Sequence, residues 1–172
     1  MGARGAAQGV LAPDRHHRRV PRTTDLPTLD PPQTRSSGVL TVESAELVED
    51  FYRLLAARDG VALHELLAPE IVVQYHAKES HLPWAGRFDG HDGFDEFLAA
   101  VGDRLEIVDA NRHEPITTEN HVVVQTTGTW RVKRTGAVIH GAMCNIFGVM
   151  NGKIVSYEVH ADTASFREAL AD

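Results

Sequence analysis

Apolar and polar positions repeat at helical spacing through much of the first half of the chain. Residues 41–60 carry one apolar stripe, which predicts an amphipathic helix, and its members are Leu47, Phe51, Leu54 and Leu55. Residues 61–68 predict a short second helix, which stops there because Pro69 disfavours helical geometry in the residue before it. A third helix is predicted from about Asp92, where the same spacing returns at Phe94, Phe97, Leu98 and Val101.

After the third helix, apolar and polar side chains alternate with the period of two that is typical of strands. We predict strands at about 105–112, 121–133, 138–149 and 154–161, and an earlier strand over residues 71–77. Helices followed by a strand-rich half predict an α+β domain, in which three helices pack on one face of a mainly antiparallel sheet.

The first turn between the last three strands predicts how two of them pair. Thr135-Gly136 is a plausible two-residue hairpin turn, which would place Trp130 opposite Gly141 and Thr126 opposite Asn145. Trp130 would then lie over a residue without a side chain, either as the wall of a pocket or as ordinary core.

The second turn, VMNGKI, allows two registers that exchange the faces of the last strand. A two-residue Asn-Gly turn would pair Asn145 with Glu158, whereas a three-residue loop with Gly152 in the left-handed conformation would pair it with Tyr157. We favour the three-residue loop, because it alone unites the apolar sets of both strands. The predicted inner face then consists of Thr126, Gly128, Trp130, Gly141, Met143, Asn145, Tyr157 and Val159. This composition is typical of a small-molecule pocket, and equally of a plain core with two tolerated polar residues.

The segment LPWAGRFDGHDGFDEFL places Trp84 on a predicted loop, just before the third helix. A side chain of this size on a loop has two interpretations. Either Trp84 packs against the core from outside, or it closes the mouth of a ligand cavity. Because the two interpretations are compatible, we include Trp84 among the predicted substrate-binding residues.

Composition narrows the classes of function. A net charge of −7 argues against a nucleic-acid partner, and no apolar run approaches the ~20 residues that a membrane-spanning helix needs. The single cysteine, Cys144, excludes an internal disulfide framework and fits a reducing compartment, so we expect a cytoplasmic protein. No Gly-rich phosphate loop or metal-ligand motif stands out, and the sequence therefore predicts neither a cofactor nor a metal.

Residues 1–38 differ from the remainder of the chain. They are rich in Pro, Gly, Arg and Thr and have no periodic apolar pattern, which predicts a disordered N-terminal extension before a domain at 39–172. The extension has no continuous apolar segment, which argues against a secretory signal.

The order of elements, the loop PWAGRFDG and the ending NGKIVSYEVHADTASF together resemble the SnoaL-like branch of the nuclear transport factor 2-like superfamily. The resemblance covers about residues 42–170. It implies a cone-shaped fold, in which a curved sheet surrounds a deep pocket, and it usually implies a homodimer. The superfamily includes ketosteroid isomerases, limonene epoxide hydrolases and polyketide cyclases, so the resemblance leaves the reaction open.

The resemblance places the catalytic acidic and charged residues of these enzymes on neutral residues of this chain. The resemblance places the isomerase-type general base at about Tyr75, the neutral acid at Asn145, and the helix tyrosine at Tyr52 or Phe51. The hydrolase-type charged residues fall at Gly128, Trp130 and Val159. The carboxylates of the known enzymes are therefore not matched on the predicted inner face.

A neutral set remains as the candidate catalytic and binding chemistry. Tyr75, Asn145 and Tyr157 would orient a substrate and polarise its carbonyl group, because phenols and amides stabilise an enolate-like oxygen. His76 is the candidate base, although strict alternation points it away from Tyr75. The predicted substrate-binding residues are Tyr52, Trp84, Thr126, Trp130, Met143, Tyr157 and Val159.

These residues support three alternative functions. The leading one is a SnoaL-like enzyme of the isomerase or polyketide-cyclase type, which transfers protons on an apolar substrate that carries a carbonyl group. The first alternative is a non-catalytic small-molecule-binding protein with the same fold, and the second is a structural accessory protein whose cavity has collapsed.

On the outer face, the favoured registers pair His140 with Asp162 and place Arg131 beside it, with Glu158 and His160 on the same face. Two histidines and two carboxylates are able to bind zinc, but the arginine would oppose a cation. We therefore predict a solvated surface or a homodimer contact through this face.

Overall fold

Helices and strands follow the predicted order, with short additions. The computed structural model describes residues 37–78 and 82–171. The helices of these segments are α1 (Ser37–Ala57), α2 (Gly60–Leu66), α3 (Gly90–Gly102) and α4 (Thr163–Ala171). The strands are β1 (Leu67–Tyr75), β2 (Gly86–Asp89), β3 (Leu105–Arg112), β4 (Ile116–Thr117), β5 (His121–Val132), β6 (Val138–Met150) and β7 (Lys153–Ala161). The predicted disordered extension at 1–38 lies outside the described residues, apart from the first two residues of α1.

One sheet contains these strands in the order β2-β1-β7-β6-β5-β3, and β4 pairs with β5. Strands β1 and β7 are parallel, and the other neighbours in this order are antiparallel. Helices α1 and α3 pack on one face, where the rings of Phe51 and Phe97 contact Tyr157. Helix α4 packs on the same face through Phe166 and Trp130. We call this the inner face and its reverse the outer face. The predicted α+β architecture is confirmed.

The sequence prediction of three helices missed α4. Asp162 accepts hydrogen bonds from the backbone N–H groups of Ala164 and Ser165, at 3.2 and 3.4 Å, and from the Ser165 hydroxyl at 2.6 Å. These contacts satisfy the first amides of α4 and make Asp162 its N-terminal cap. Asp162 also continues the alternating polar positions of the last strand, and this pattern conceals the start of α4 in the sequence.

The beginning of the sheet also differs from the prediction. Strand β1 begins at Leu67 rather than at residue 71, and its register with β7 shifts between Leu67 and Val72. Pro69 lies inside this shift, as expected for a residue that has no N–H to donate to a ladder. The predicted loop after β1 contains β2, which pairs Gly86 with Tyr75.

The predicted register of the β5–β6 hairpin was wrong by two residues. Trp130 lies opposite Ile139 and not opposite Gly141. The connecting loop has four residues instead of two, because the Val132 N–H donates to the Ala137 carbonyl oxygen at 2.8 Å across it. A shift of two residues leaves every side chain on its predicted face, since side chains alternate with a period of two.

The predicted β6–β7 turn was also wrong. Asn151 and Gly152 form the two-residue turn that the sequence analysis rejected, with φ of 52° and 70°. An extra residue in β7, Val155, then changes the phase of the strand. The pairs around it are Val149–Ile154, Gly148–Ser156 and Asn145–Val159. This bulge returns the apolar set of β7 to the inner face, so the predicted composition of that face is correct although Asn145 does not oppose Tyr157.

Aromatic rings fill the space between the helices and the inner face. The Phe51 ring lies 6.0 Å from Phe94, 5.2 Å from Phe147 and 5.5 Å from Tyr157, measured between centroids. Phe147 and Tyr157 stack at 4.9 Å with 14° between their planes. Within the described segments, none of the helices has the length and apolar character that crossing a bilayer requires.

Candidate functional site

Three polar side chains from three different elements meet on the inner face. Tyr52 comes from α1, which packs across β5, while Thr126 and Asn145 come from β5 and β6. Thr126 and Asn145 are 4% and 2% exposed, and both belong to an otherwise apolar surface. Alternation explains their position, because each lies between inward-facing apolar residues of its own strand. We call Tyr52, Thr126 and Asn145 the polar set.

Tyr157 completes one side of the polar set. Its hydroxyl donates a hydrogen bond to Oδ1 of Asn145 at 3.3 Å, and its ring is held by the stack on Phe147. Asn145 is thereby oriented by a neighbour that is itself fixed in the core. Tyr157 and Asn145, two of the three residues predicted to form a neutral hydrogen-bonding set, are thus in direct contact.

Two atoms of the polar set have unused hydrogen-bonding capacity. Tyr52 Oη and Thr126 Oγ1 are buried and have no hydrogen-bond partner in the structure. The Asn145 and Thr126 side chains lie close enough to favour the ionised form of the Tyr52 phenol, but the contacts do not reach hydrogen-bond geometry. A buried polar atom without a partner costs about 1–3 kcal/mol. The site is therefore suited to an additional oxygen, supplied by a ligand or by water.

The phenols near this site are donors and not bases. Burial raises the pKa of Tyr52 well above its ordinary value of 10.0, and the Arg112 guanidinium opposes only part of this effect. Burial also raises the pKa of Tyr157 well above 10.0, with smaller contributions from Tyr52 and Tyr75. At neutral pH these hydroxyls are protonated and donate hydrogen bonds.

Arg112 marks the more open end of the inner face. Its guanidinium lies 4.7 Å from the centroid of the Tyr52 ring, and β3 places it beside Thr126 in the register with β5. Gly128, Gly141 and Met143 are only half-buried here. The sequence analysis missed Arg112, because β3 has no alternating pattern that would have assigned the residue to a face.

The opposite end of the inner face is closed. Trp84 is 1% exposed, and its ring contacts Tyr75 and Phe166 at centroid distances of 6.3 Å each. It therefore packs against the core from its loop. Burial raises the pKa of Tyr75, and Val159 beside it is also buried.

Trp130 is likewise part of the packed interior. It is 5% exposed, and its ring contacts Phe166 at 5.5 Å. The indole ring lies beside two glycines. A Cβ added to Gly128 would lie 3.1 Å from Trp130 Cη2, and a Cβ added to Gly141 would lie 4.0 Å from Trp130 Cζ3. The expected space for an indole over Gly141 thus exists in spite of the shifted register.

None of the described Asp, Glu, His, Lys or Arg side chains is buried on the inner face. His76, the candidate base, lies on the outer face, where its Nε2 is 2.9 Å from Oε2 of Glu158. Alternation along β1 and β7 accounts for this position, because His76 follows the inward-facing Tyr75. The structure therefore separates His76 from Asn145, Tyr157 and the rest of the predicted site.

The outer-face cluster has different members from those predicted. His140 lies beside Thr129, with Nδ1 3.1 Å from its hydroxyl oxygen, and not beside Asp162, which caps α4. Arg131 pairs with Glu106 at 2.8 Å. Both errors follow from the two register shifts described above. Glu158 and His160 lie on the outer face as predicted, and His76 joins them in place of His140 and Asp162.

Two cavities flank α4 and lie away from the polar set. One has a volume of about 480 Å³ and is bordered by Pro83 and Arg167, and the other has about 360 Å³ and is bordered by Val138 and Glu168. Neither is lined by a member of the polar set. Met143, a predicted substrate-binding residue, is half-buried and lies opposite Thr126 in the register of β5 with β6.

Comparisons with known proteins agree with this architecture. The SnoaL-like domain family matches residues 48–157. A nuclear transport factor 2-like protein from Burkholderia xenovorans shares 24% identity, with a TM-score of 0.69 over 75% of this chain and 96% of its own. TerC, co-crystallised with polyporic acid, shares 22% identity, with a TM-score of 0.66 over 76% of this chain and 99% of its own.

A candidate isomerase from Rhodopseudomonas palustris is similar at 16% identity, with a TM-score of 0.63 over 76% of this chain and 97% of its own. No curated protein matches the chain in sequence. At these identities the similarity of the solved structures shows the fold.

Proposed function

Because this chain belongs to the SnoaL-like domain family, we propose that its inner sheet face binds a small apolar molecule through a carbonyl or hydroxyl oxygen. The polar set would hold that oxygen, and the surrounding aromatic rings would hold the apolar body. TerC, which has a similar fold, was co-crystallised with polyporic acid, and this supports a small molecule as the ligand class.

The unpartnered Tyr52 Oη and Thr126 Oγ1 carry the proposal. Two buried hydroxyls without partners on the same patch destabilise the free protein, and one ligand oxygen is able to accept from both. Apolar residues in their place would pack better, so a role in ligand recognition explains why the polar atoms are there.

Binding without turnover is the form of this function that the inner face supports best. Proton abstraction needs a base near the operating pH within hydrogen-bond reach of the substrate. Besides Arg112, which is a cation and not a base, the ionisable groups described on the inner face are tyrosines whose pKa values are raised, and His76 lies on the outer face. The polar set therefore recognises and polarises an oxygen, but it supplies no base.

A proton-transfer enzyme of the isomerase or cyclase type is the second candidate, and Arg112 favours it. A guanidinium beside the polar set would stabilise negative charge on an enolate oxygen, as electrostatic stabilisers do in acyl and enolate chemistry. A substrate whose C–H bond is acidic in itself would need less help from a protein base.

Tryptophan fluorescence is a direct test of binding. The chain has two tryptophans, and Trp130 lies on the same strand face as Thr126. We expect a saturable change in emission on titration with at least one member of a panel of hydrophobic ketones, phenols and polyporic acid. Thr126→Val should weaken this binding by roughly tenfold, the value of about one hydrogen bond.

Thr127→Val is the matched control, because Thr127 is the neighbouring residue and lies exposed on the outer face. It should bind the same ligand with unchanged affinity. Equal weakening by both substitutions, or no saturable change with any ligand in the panel, would contradict the proposal.

Deuterium exchange separates the two candidates. A bound ketone is incubated in D₂O, and exchange at its α-carbon is followed by NMR with and without protein. Binding without faster exchange identifies a binding protein. Exchange that the protein accelerates, and that Tyr52→Phe abolishes, identifies the enzyme.

A further inference from the structure

We propose that the outer face carries a binding site for a divalent metal ion of the zinc class, with His76, Glu158 and His160 as its ligands. The three residues each offer a ligand atom, and these atoms all lie within 4.8 Å of one another. The sequence analysis placed Glu158 and His160 on this face but predicted no metal, because it placed Arg131 beside them and His76 elsewhere.

The parallel pairing of β1 with β7 brings the three ligands together. Tyr75 is in register with Val159, and the ladder continues where the His76 N–H donates to the Val159 carbonyl oxygen at 3.0 Å. His76 consequently lies beside His160 on the outer face. Glu158 precedes His160 by two residues, so alternation places it on the same face.

The distances fit a shared ion after small rotations. Oε2 of Glu158 lies 2.9 Å from Nε2 of His76 and 3.8 Å from Nε2 of His160. Two ligands of a tetrahedral zinc ion, each about 2.0–2.2 Å from the metal, lie roughly 3.3 Å apart. The two imidazole rings stack in parallel at 4.1 Å, so at least one must rotate to direct its nitrogen at the ion. Their partial exposure leaves them free to do so.

The donor set selects the class of ion. Two imidazole nitrogens and one carboxylate, with a coordination position open to water, are the ligand set of several zinc enzymes. Imidazole suits zinc, cobalt and nickel, whereas magnesium and calcium prefer oxygen ligands alone. Arg131, whose charge would oppose a cation in this cluster, is instead paired with Glu106 on β3.

This site is separate from the polar set. It lies on the opposite face of the sheet, and its two histidines come from the C-terminal ends of the adjacent strands β1 and β7. An ion bound there would link these strands and stabilise the folded state by mass action.

Isothermal titration of the untagged, chelator-treated full chain with Zn²⁺, and with Co²⁺ as a spectroscopic probe, tests the proposal. We expect one ion per chain and a higher melting temperature with the ion bound. His76→Ala and His160→Ala should each weaken binding by at least about tenfold, because each removes a direct ligand. Mg²⁺ should not compete.

Two control variants test whether histidines outside the proposed site bind the ion. His140→Ala removes an exposed imidazole from the same face, and His16→Ala with His17→Ala removes an adjacent pair near the N-terminus. Both should retain the wild-type affinity and stoichiometry. Binding that survives in His76→Ala and His160→Ala, that is lost in His140→Ala, or that is absent from the wild-type chain would overturn the proposal.

Discussion

The two faces of the sheet are built from the same strands but carry different kinds of side chain. Tyr75 and Val159 are buried on the inner face, whereas the next residues along their strands, His76 and His160, are exposed on the outer face. The inner face combines aromatic rings with a few neutral polar atoms. The outer face carries an imidazole–carboxylate cluster that solvent reaches.

This difference indicates where each kind of group is tolerated. Charged side chains on the outer face remain hydrated and cost little, but a charge on the inner face would lose its hydration. The polar set is therefore neutral, and even so it leaves Tyr52 Oη and Thr126 Oγ1 without partners. The inner face should be sensitive to changes in packing, and the outer face should not.

Trp84→Ala should have the largest effect on stability. Trp84 is 1% exposed, so its removal creates a cavity, and we expect a loss of about 3–5 kcal/mol in the free energy of unfolding. The outer-face variant His76→Ala should change this quantity by no more than about 0.5 kcal/mol in metal-free protein. Urea denaturation of both variants checks the contrast, and similar losses would contradict it.

Alkaline pH should also destabilise the inner face. The chain has three tyrosines, and burial raises the pKa of each in the folded state. The unfolded chain then loses phenolic protons from about pH 10 while the folded chain retains them. The tyrosines therefore contribute their full stabilisation below pH 10. Above pH 10 the free energy of unfolding falls, by roughly 1.4 kcal/mol per pH unit for each phenol that stays protonated in the folded state.

Phenolate absorbance measures this effect. A free phenol is half ionised near pH 10, whereas the folded protein should show less phenolate than the unfolded chain at that pH, because burial raises the pKa of its tyrosines. Normal titration of the tyrosines while the protein stays folded would show that their surroundings are more polar than the structure indicates.

Gly128→Ala should lower the free energy of unfolding by an intermediate amount. A Cβ at this position would lie 2.6 Å from the carbonyl oxygen of Asp109 and would also press on the Trp130 ring, so we expect a loss of about 1–3 kcal/mol. Gly60→Ala is the control, since nothing lies within 4 Å of a Cβ there, and it should be neutral or stabilising by about 0.4–1 kcal/mol. Thermal unfolding distinguishes the two variants.

Compared with Trp84→Ala and Gly128→Ala, Thr126→Val should change the free energy of unfolding least, and it should raise that free energy where the other two lower it. It removes a buried hydroxyl without a partner and keeps the shape of the side chain, so the ligand-free protein should gain up to about 1 kcal/mol. A clear loss of stability would mean that the hydroxyl is already hydrogen-bonded in the free protein, and the polar set would then have no capacity reserved for a ligand.

Alternation predicted the inner face more reliably than it predicted the turns. The apolar pattern assigned Thr126, Trp130, Asn145 and Tyr157 to one face correctly, because burial requires it whatever the register. Both hairpin registers were nevertheless wrong. The bulge at Val155 leaves no local signal, since it only compensates for a turn that would otherwise reverse the faces.

Side-chain groups that depend on register were correspondingly hard to predict. The contact between His76 and Glu158 joins residues 82 positions apart, through a parallel strand pair that no turn reveals. The sequence predicted a cross-strand pair of Asp162 with His140, because the alternating pattern of the last strand continues to Asp162. In the structure this residue is the N-terminal cap of α4. The start of this helix was readable from the sequence, as an aspartate followed by Ser165 and Phe166.

The most direct test of the ligand-binding account compares two ligands that differ by one oxygen. The tightest carbonyl or hydroxyl compound from the panel and its analogue without that oxygen are titrated into the wild-type protein and into the Tyr52→Phe, Thr126→Val double variant. The account predicts that the oxygen improves the Kd of the wild-type protein by roughly tenfold or more and does not improve that of the variant. An equal preference in both proteins would mean that the polar set does not hold the ligand oxygen.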